Sequence, residues 1–171
     1  NLLECIRLFP SAFSVLNVTT DKVYENKEWE WGYRETEALN GYDPYSNSKS
    51  CSDIVTQSYI KSFFYDSGSP AISIARAGNV IGGGDFSKDR IIPDSVKACC
   101  NKQAIFVRNP FSIRPYQHVL EPLSAYLWIL YKQSIDRSLA DSYNVGPNED
   151  DCVTTKELVS LFCEAWGEGA R

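Results

Sequence analysis

Two short apolar runs separated by one amphipathic segment constrain the fold of this chain most. Residues 13–18 and 71–75 are apolar stretches bounded by polar residues, as buried parallel strands are. Between them, Asp43 and Pro44 provide an N-cap and a first-turn proline for a helix. The apolar residues that follow at helical spacing are Cys51, Ile54, Val55, Tyr59 and Phe63. This strand–helix–strand order predicts an α/β fold with a parallel sheet and right-handed crossovers.

The rest of the chain supplies further elements of both types. Residues 29–42 are aromatic and charged without a clear period, which predicts a loop. The other predicted elements are helices at 2–9 (ended by Pro10), 93–101 and 122–135, and strands at 104–107 and 143–146. Thr154 and Glu157 have the spacing of a capping box, which predicts a final helix starting there.

Charge and hydropathy exclude several classes of partner. The chain of 171 residues has a net charge of −5 and a pI near 4.9, whereas a nucleic-acid or anionic-membrane surface needs a basic face. No apolar run approaches the roughly 20 residues of a membrane helix. We therefore expect neither a nucleic-acid nor a membrane partner.

The cysteine and histidine content indicates neither a metal site nor a disulfide framework. The six cysteines form no C-x-x-C pair, and a single histidine leaves no zinc-finger pattern. Most of the cysteines lie in apolar surroundings, where a small buried thiol is the commoner role. These features predict a cytoplasmic protein in a reducing compartment.

Tyr45 and Lys49 are the first candidate catalytic residues. Four positions apart on a helix, they lie one turn apart on the same face. A cation beside a phenol favours the phenolate, which can act as a base. An exposed tyrosine beside a surface lysine is the alternative for this spacing alone. The preceding Thr20-Asp21-Lys22, directly after the first strand, favours the catalytic interpretation.

Four linked motifs resemble one family. They are residues 17–26 (NVTTDKVYEN), 41–49 (GYDPYSNSK), 76–85 (RAGNVIGGGD) and 108–119 (RNPFSIRPYQHV). Together they resemble the extended short-chain dehydrogenases that act on nucleotide sugars, and in particular the CDP-glucose branch of the nucleotide-sugar dehydratases. The resemblance covers nearly the whole chain.

The resemblance implies a division into two domains. Residues 1–83 would form the second half of an NAD-binding Rossmann domain, and residues 84–171 a smaller α/β substrate-binding region. Within the latter, about residues 113–139 would pack back on the Rossmann domain. The glycine-rich turn that holds the NAD pyrophosphate is missing from these residues. We therefore expect the chain to be a fragment that is inactive or nearly so by itself.

The resemblance also implies a hydro-lyase that converts CDP-glucose to CDP-4-keto-6-deoxyglucose with NAD as cofactor. Tyr45 would remove the 4-hydroxyl proton while the C4 hydride passes to NAD⁺. Lys49 would hold the nicotinamide ribose and stabilise the phenolate, and Thr20 would hydrogen-bond the 4-oxygen. Water is then lost across C5 and C6, and the hydride returns to C6.

The elimination needs a second acid and base, because the C5 proton must leave and the 6-hydroxyl must be protonated. Asp21 matches the family's acid. Lys22 occupies the position of its base, where most relatives have glutamate and the CDP-glucose branch has lysine. Lys22 could instead be a solvated charge or a partner that orients Asp21.

The substrate side of the site is assigned by resemblance to two further residues. Asn79 would contact the substrate, and a turn asparagine is its structural alternative. Arg114 would contact the diphosphate, which suits a planar bidentate donor. A surface arginine is the alternative for Arg114.

Two other functions stay open at the level of sequence. A nucleotide-sugar 4-epimerase of the same fold needs the tyrosine and hydride transfer but has no use for an acid at Asp21. A non-catalytic binding module is the alternative from another class, and binding of NAD⁺ or a CDP-sugar would discriminate it. We further expect the intact protein to be a homo-oligomer, a dimer or a tetramer.

Overall fold

The computed structural model describes residues 1–9 and 11–170. The predicted helix end at Pro10 lies outside the described residues. The helices are α1 (Leu2–Leu8), α2 (Pro44–Phe63), α3 (Ile91–Cys100), α4 (Leu120–Ile135) and α5 (Thr155–Trp166). The strands are β1 (Ser14–Val18), β2 (Ala71–Ala77), β3 (Val80–Ile81), β4 (Ile113–Arg114), β5 (Gln117–His118), β6 (Ser142–Val145) and β7 (Val153–Thr154). Short 3₁₀ turns lie at Asp21–Val23, Arg137–Leu139 and Glu149–Asp151.

The chain forms two compact units. The first unit comprises residues 1–78 and 120–146, and the second unit comprises residues 79–119 and 147–171. Helix α4 belongs to the first unit, where it packs on β1 and β2, whereas residues 113–119 belong to the second.

A three-stranded parallel sheet in the order β1-β2-β6 organises the first unit. The β1–β2 register runs from the pair Ser14 and Ala71 to the pair Val18 and Ala75. All seven residues of β2 are buried, as expected of a central parallel strand covered on both faces. The predicted α/β fold with a parallel sheet is confirmed.

Helix α2 has the predicted position, but its buried face differs from the predicted one. The apolar residues Ile54, Val55 and Phe63 are each nearly half exposed. The fully buried positions of the helix are instead small or polar: Ser46, Ser50, Asp53 and Thr56. Short side chains let the helix approach its neighbours closely, and their polar atoms find hydrogen-bond partners there.

Helix α4 is tied to the sheet by one buried amide. The Gln133 side chain donates to the Val15 and Ala71 carbonyl oxygens at 2.9 and 3.2 Å, and to Ser14 Oγ at 2.9 Å. It also accepts a hydrogen bond from the Ser73 hydroxyl. These bonds satisfy polar groups that α4 would otherwise bury without partners.

The second unit consists of short strand pairs and two packed helices. Strands β3 and β5 pair in parallel, and β4 and β7 pair antiparallel. Helix α3 packs against α5, and α5 begins with the predicted capping box formed by Thr154 and Glu157. The strand predicted at 104–107 is wrong, because these residues adopt neither strand nor helix. Phe106 is 82% exposed, so its apolar side chain faces solvent and covers no sheet.

Candidate active site

The segment after β1 brings Thr20, Asp21 and Lys22 together. Thr20 caps the 3₁₀ turn Asp21–Val23, and its hydroxyl donates to Asp21 Oδ1 at 2.9 Å. Lys22 Nζ lies 3.2 Å from the same oxygen. One carboxylate oxygen therefore accepts hydrogen bonds from both a hydroxyl and an ammonium group.

The three side chains differ in access to solvent. Thr20 is buried, whereas the Asp21 and Lys22 side chains remain 29% and 37% exposed. Because the acid and the amine are both reachable from solvent, a ligand could contact both charged groups.

Tyr45 and Lys49 lie in the first two turns of α2. Asp43 caps this helix, since its Oδ1 accepts from the Tyr45 and Ser46 amides at 3.0 and 3.1 Å. The hydrogen bond from the Ser46 hydroxyl, together with those amides, lowers the pKa of Asp43. Tyr45 is 58% exposed and Lys49 is half-buried. The predicted pair is thus accessible and one helical turn apart.

A chain of hydrogen bonds joins α2 to the segment that carries Asp21 and Lys22. The Gly41 amide donates to Ser50 Oγ at 3.0 Å, and the Ser50 hydroxyl donates to the Val23 carbonyl at 2.8 Å. Ser50 directly follows Lys49, and Val23 directly follows Lys22. The structure therefore brings the helix of the tyrosine–lysine pair against the acid–amine turn.

Sequence reasoning missed a buried ion pair beside these residues. Arg76 Nε and Nη2 donate to the two oxygens of Asp53 at 2.8 and 3.0 Å, and neither side chain is exposed. The missed signal was a charged residue inside an otherwise apolar strand, because such a residue needs a buried partner.

The third guanidinium nitrogen, Nη1, contacts Tyr24. Arg76 Nη1 donates to the Tyr24 hydroxyl and to the Glu35 carbonyl oxygen, both at 2.8 Å. The Tyr24 hydroxyl in turn donates to Asn144 Oδ1 at 2.6 Å. Burial raises the pKa of Tyr24, although the hydrogen bond from Arg76 opposes that rise. Burial acts to lower the pKa of Arg76, yet its hydrogen bonds to Asp53 and Tyr24 leave it raised.

The two predicted substrate residues belong to the second unit, Asn79 beside the β3–β5 pair and Arg114 within the β4–β7 pair. Asn79 immediately precedes β3, and its backbone carbonyl accepts from the Gln117 amide at 3.0 Å. Within the described part of the chain, Asn79 Oδ1 is a buried side-chain oxygen without a hydrogen-bond partner. Arg114 is an exposed residue of β4 opposite Val153.

Residues 1–9 and 11–170 provide neither a cluster of metal ligands nor a membrane-spanning helix. No group of three or more histidine, cysteine, aspartate or glutamate side chains there could hold a metal ion. None of the helices in the same residues is long and apolar enough to cross a membrane.

Known proteins resemble this chain in sequence over about half of their length. It is 43% identical to the CDP-glucose 4,6-dehydratase of Salmonella typhimurium, over 99% of this chain and 49% of that protein. It is 24% identical to an uncharacterized protein of Schizosaccharomyces pombe, over 96% of this chain and 50% of that protein.

Solved structures share its fold. The dTDP-glucose 4,6-dehydratase of Bacillus anthracis, solved with NAD, has a TM-score of 0.80 at 23% identity, covering 99% of this chain and 52% of that one. The UDP-glucuronic acid 4-epimerase of Bacillus cereus has a TM-score of 0.80 at 17% identity, with 99% and 50% covered. Residues 1–146 match the NAD dependent epimerase/dehydratase family, and the chain belongs to that family.

Proposed function

We propose that this chain provides the catalytic residues of a hydro-lyase that converts CDP-glucose to CDP-4-keto-6-deoxyglucose with NAD as cofactor. The observation that carries the proposal is the contact of Asp21 with both Thr20 and Lys22, beside the helix of Tyr45 and Lys49. Dehydration needs a second acid and base in addition to the tyrosine, and this cluster provides candidates for both. The similarity to the Salmonella enzyme supports the choice of substrate.

Tyr45 would begin the reaction by accepting the proton of the sugar 4-hydroxyl. Lys49 follows one turn later on the same face of α2, where its ammonium group would hold the nicotinamide ribose. NAD⁺, when bound, would supply the hydride chemistry that the reaction needs. The exposed phenol and half-buried amine on one helical face fit a cofactor that must lie against both.

Asp21 would deliver a proton to the departing 6-hydroxyl, which then leaves as water. Thr20 and Lys22 both contact Oδ1, so we assign the transferred proton to Oδ2. With the C5 proton removed by a base, the C5–H and C6–O bonds break and a C5–C6 double bond forms. Hydride addition at C6 and return of a proton from the base to C5 then give the 4-keto-6-deoxy sugar. Lys22 is the candidate base, and its contact with Asp21 equally supports a role in orienting the acid.

Asn79 and Arg114 are proposed to hold the substrate. The unpartnered Oδ1 of Asn79 favours a ligand, because a buried acceptor without a hydrogen bond is costly. The exposed guanidinium of Arg114 is suited to bidentate contact with a diphosphate.

The proposal is tested first with Tyr45→Phe in the intact enzyme. Loss of the general base is expected to slow oxidation by about 10²–10⁴-fold while the fold persists. Tyr42→Phe is the matched control, since Tyr42 is 97% exposed and precedes the helix. Wild-type turnover by Tyr45→Phe would show that Tyr45 is not the base.

A second experiment separates elimination from oxidation. Asp21→Asn should still form the 4-keto sugar and then stall, seen as absorbance of the reduced cofactor that persists. Lys22→Ala should slow exchange of the C5 proton with solvent deuterium, whereas Lys61→Ala, at an exposed lysine of α2, should not. Unchanged C5 exchange in Lys22→Ala would assign Lys22 to the orientation of Asp21.

A nucleotide-sugar 4-epimerase is the second candidate function. The match to the Bacillus cereus epimerase at a TM-score of 0.80 supports it at the level of fold. An epimerase would give a sugar that keeps its 6-oxygen, so the mass of the product distinguishes the two reactions. A product of unchanged mass would reject the dehydratase.

We also propose that the enzyme works in the cytoplasm as a homo-oligomer, either a dimer or a tetramer. The six cysteines are unpaired thiols, which suits a reducing compartment. The half-exposed apolar side chains of Ile54, Val55 and Phe63 suit a subunit interface. A monomeric mass for the intact enzyme in light scattering would reject the oligomer.

A further inference from the structure

We infer that Arg76 is a positioning residue, whose buried guanidinium sets the spacing between helix α2 and the segment that ends at Tyr24. This inference rests on the proposed function, because the two parts it connects carry the proposed catalytic groups. One side of the guanidinium holds Asp53 of α2, and the other holds Tyr24. One charged side chain of the central strand thus contacts both parts, and the hydrogen bond from Ser50 to the Val23 carbonyl joins them as well.

The points that Arg76 holds are close in sequence to the proposed catalytic groups. Asp53 lies one helical turn beyond Lys49 and two beyond Tyr45, in the same row of α2. Tyr24 directly follows the 3₁₀ turn that contains Asp21 and Lys22. A displacement of either point therefore moves a catalytic group with little intervening chain to absorb it.

Other contacts restrict the two ends of this connection. Asp53 also accepts a hydrogen bond of 2.7 Å from the side-chain amide of Gln57. The Tyr24 ring stacks on Tyr33 with a centroid distance of 5.2 Å and an interplanar angle of 10°. Tyr24 accepts from Arg76 and donates to Asn144, so both hydrogen-bonding roles of its hydroxyl are used. The arrangement thus has one geometry rather than several exchangeable ones.

Stability alone is a weak explanation for a buried ion pair. The desolvation of two charges largely offsets their attraction, and apolar replacements of both partners are often neutral or stabilising. The planar fork of arginine adds directional hydrogen bonds that an apolar contact lacks. The ion pair therefore fixes the relative position of the parts it connects, which an apolar pair would not do.

The test compares single and paired replacements in the intact enzyme. Arg76→Met and Asp53→Leu should each unfold at a lower temperature, because each leaves one buried charge without its partner. The double variant Arg76→Met/Asp53→Leu should regain thermal stability and yet keep a kcat about 10²-fold below wild type, as expected for a displacement near 1 Å. The KM for the nucleotide sugar should change little. A double variant that regains both stability and kcat would overturn the inference.

Arg76→Lys keeps the inference testable if the double variant does not fold. Lysine preserves the charge and loses the fork, so kcat should fall at least about tenfold at unchanged KM, and a wild-type kcat would overturn the inference. If Arg76 acts through Tyr45, the double variant Tyr45→Phe/Arg76→Lys should have nearly the same kcat as Tyr45→Phe alone. Fully additive losses would overturn that link.

The failure of this inference is distinguishable from failure of the proposed function. If the wild-type enzyme turns over no nucleotide sugar, both the proposed function and the positioning role of Arg76 are rejected. A wild-type enzyme that dehydrates CDP-glucose, together with Arg76 variants whose rate follows their stability, removes only the positioning role.

Discussion

Replacing Gly41 by alanine should displace the first turns of α2 and thereby slow catalysis. A Cβ at Gly41 would lie 2.6 Å from the Ser46 carbonyl oxygen and 2.7 Å from the Asn47 nitrogen. Both atoms belong to the backbone of the helix that carries Tyr45 and Lys49, so no side-chain rotation relieves the overlap. Either α2 or the 39–41 segment must move.

The cost can be estimated from the contacts that such a movement disturbs. Overpacking a close backbone contact costs about 1–3 kcal/mol. The Gly41 amide and carbonyl make hydrogen bonds of 3.0 Å with Ser50 and with the Asn47 side chain, each worth roughly 1 kcal/mol. Small shifts of the backbone will relieve part of the overlap and keep part of the hydrogen bonding. We therefore expect the free energy of unfolding to fall by about 2–4 kcal/mol.

Denaturant titration and steady-state kinetics of the intact enzyme measure the two effects. The kcat of Gly41→Ala should fall by about 10²-fold if α2 moves by 1 Å. Gly32→Ala is the control, since a Cβ there would meet no atom within 4 Å and Gly32 has no positive φ. The control should be neutral or more stable by about 0.4–1 kcal/mol. Equal stability of the two variants would refute the close approach.

Two further predictions concern stability away from the proposed chemistry. Gln133→Leu should destabilise the first unit by about 2–4 kcal/mol in denaturant titration, because buried serine and carbonyl groups lose their partners; an unchanged midpoint would show that water replaces the amide. Hydrogen bonds from Thr154 lower the pKa of Glu157 below 4.5, so the stability it adds is present above that value and is lost as the pH falls through the lowered pKa. The difference in unfolding midpoint between wild type and Glu157→Gln should therefore shrink on acidification from about pH 6, and a difference independent of pH would contradict this assignment.

Patterns within a few residues predicted most of the elements correctly. The cap at Asp43 and the capping box at Thr154 depend on neighbouring backbone amides, so they are readable without tertiary information. The apolar runs of β1 and β2 were equally readable. The strand at 104–107 failed, because an apolar run becomes a strand only where another strand is available to pair with it.

The roles proposed for the site residues came from linked motifs, whereas most of the contacts around these residues came only from the structure. Spacing placed Tyr45 and Lys49 on one face of a helix, and contact of Lys22 with Asp21 was one of the alternatives for Lys22. No pattern indicated that the Thr20 hydroxyl would donate to the same carboxylate oxygen. The partner of Arg76 was not predicted either, because 23 positions separate it from Asp53 and nothing in the motif that begins at Arg76 indicates which residue pairs with it.

The sequence by itself determined where α2 begins and that it carries Tyr45 and Lys49, which we propose to be catalytic, one turn apart. Only the tertiary structure decided which face of α2 is buried. Apolar content favoured the face of Ile54 and Val55, yet the buried face is that of Ser50 and Asp53. The physical reason is that burial depends on what lies opposite the helix. There, a peptide carbonyl and the buried guanidinium of Arg76 require polar partners at short range.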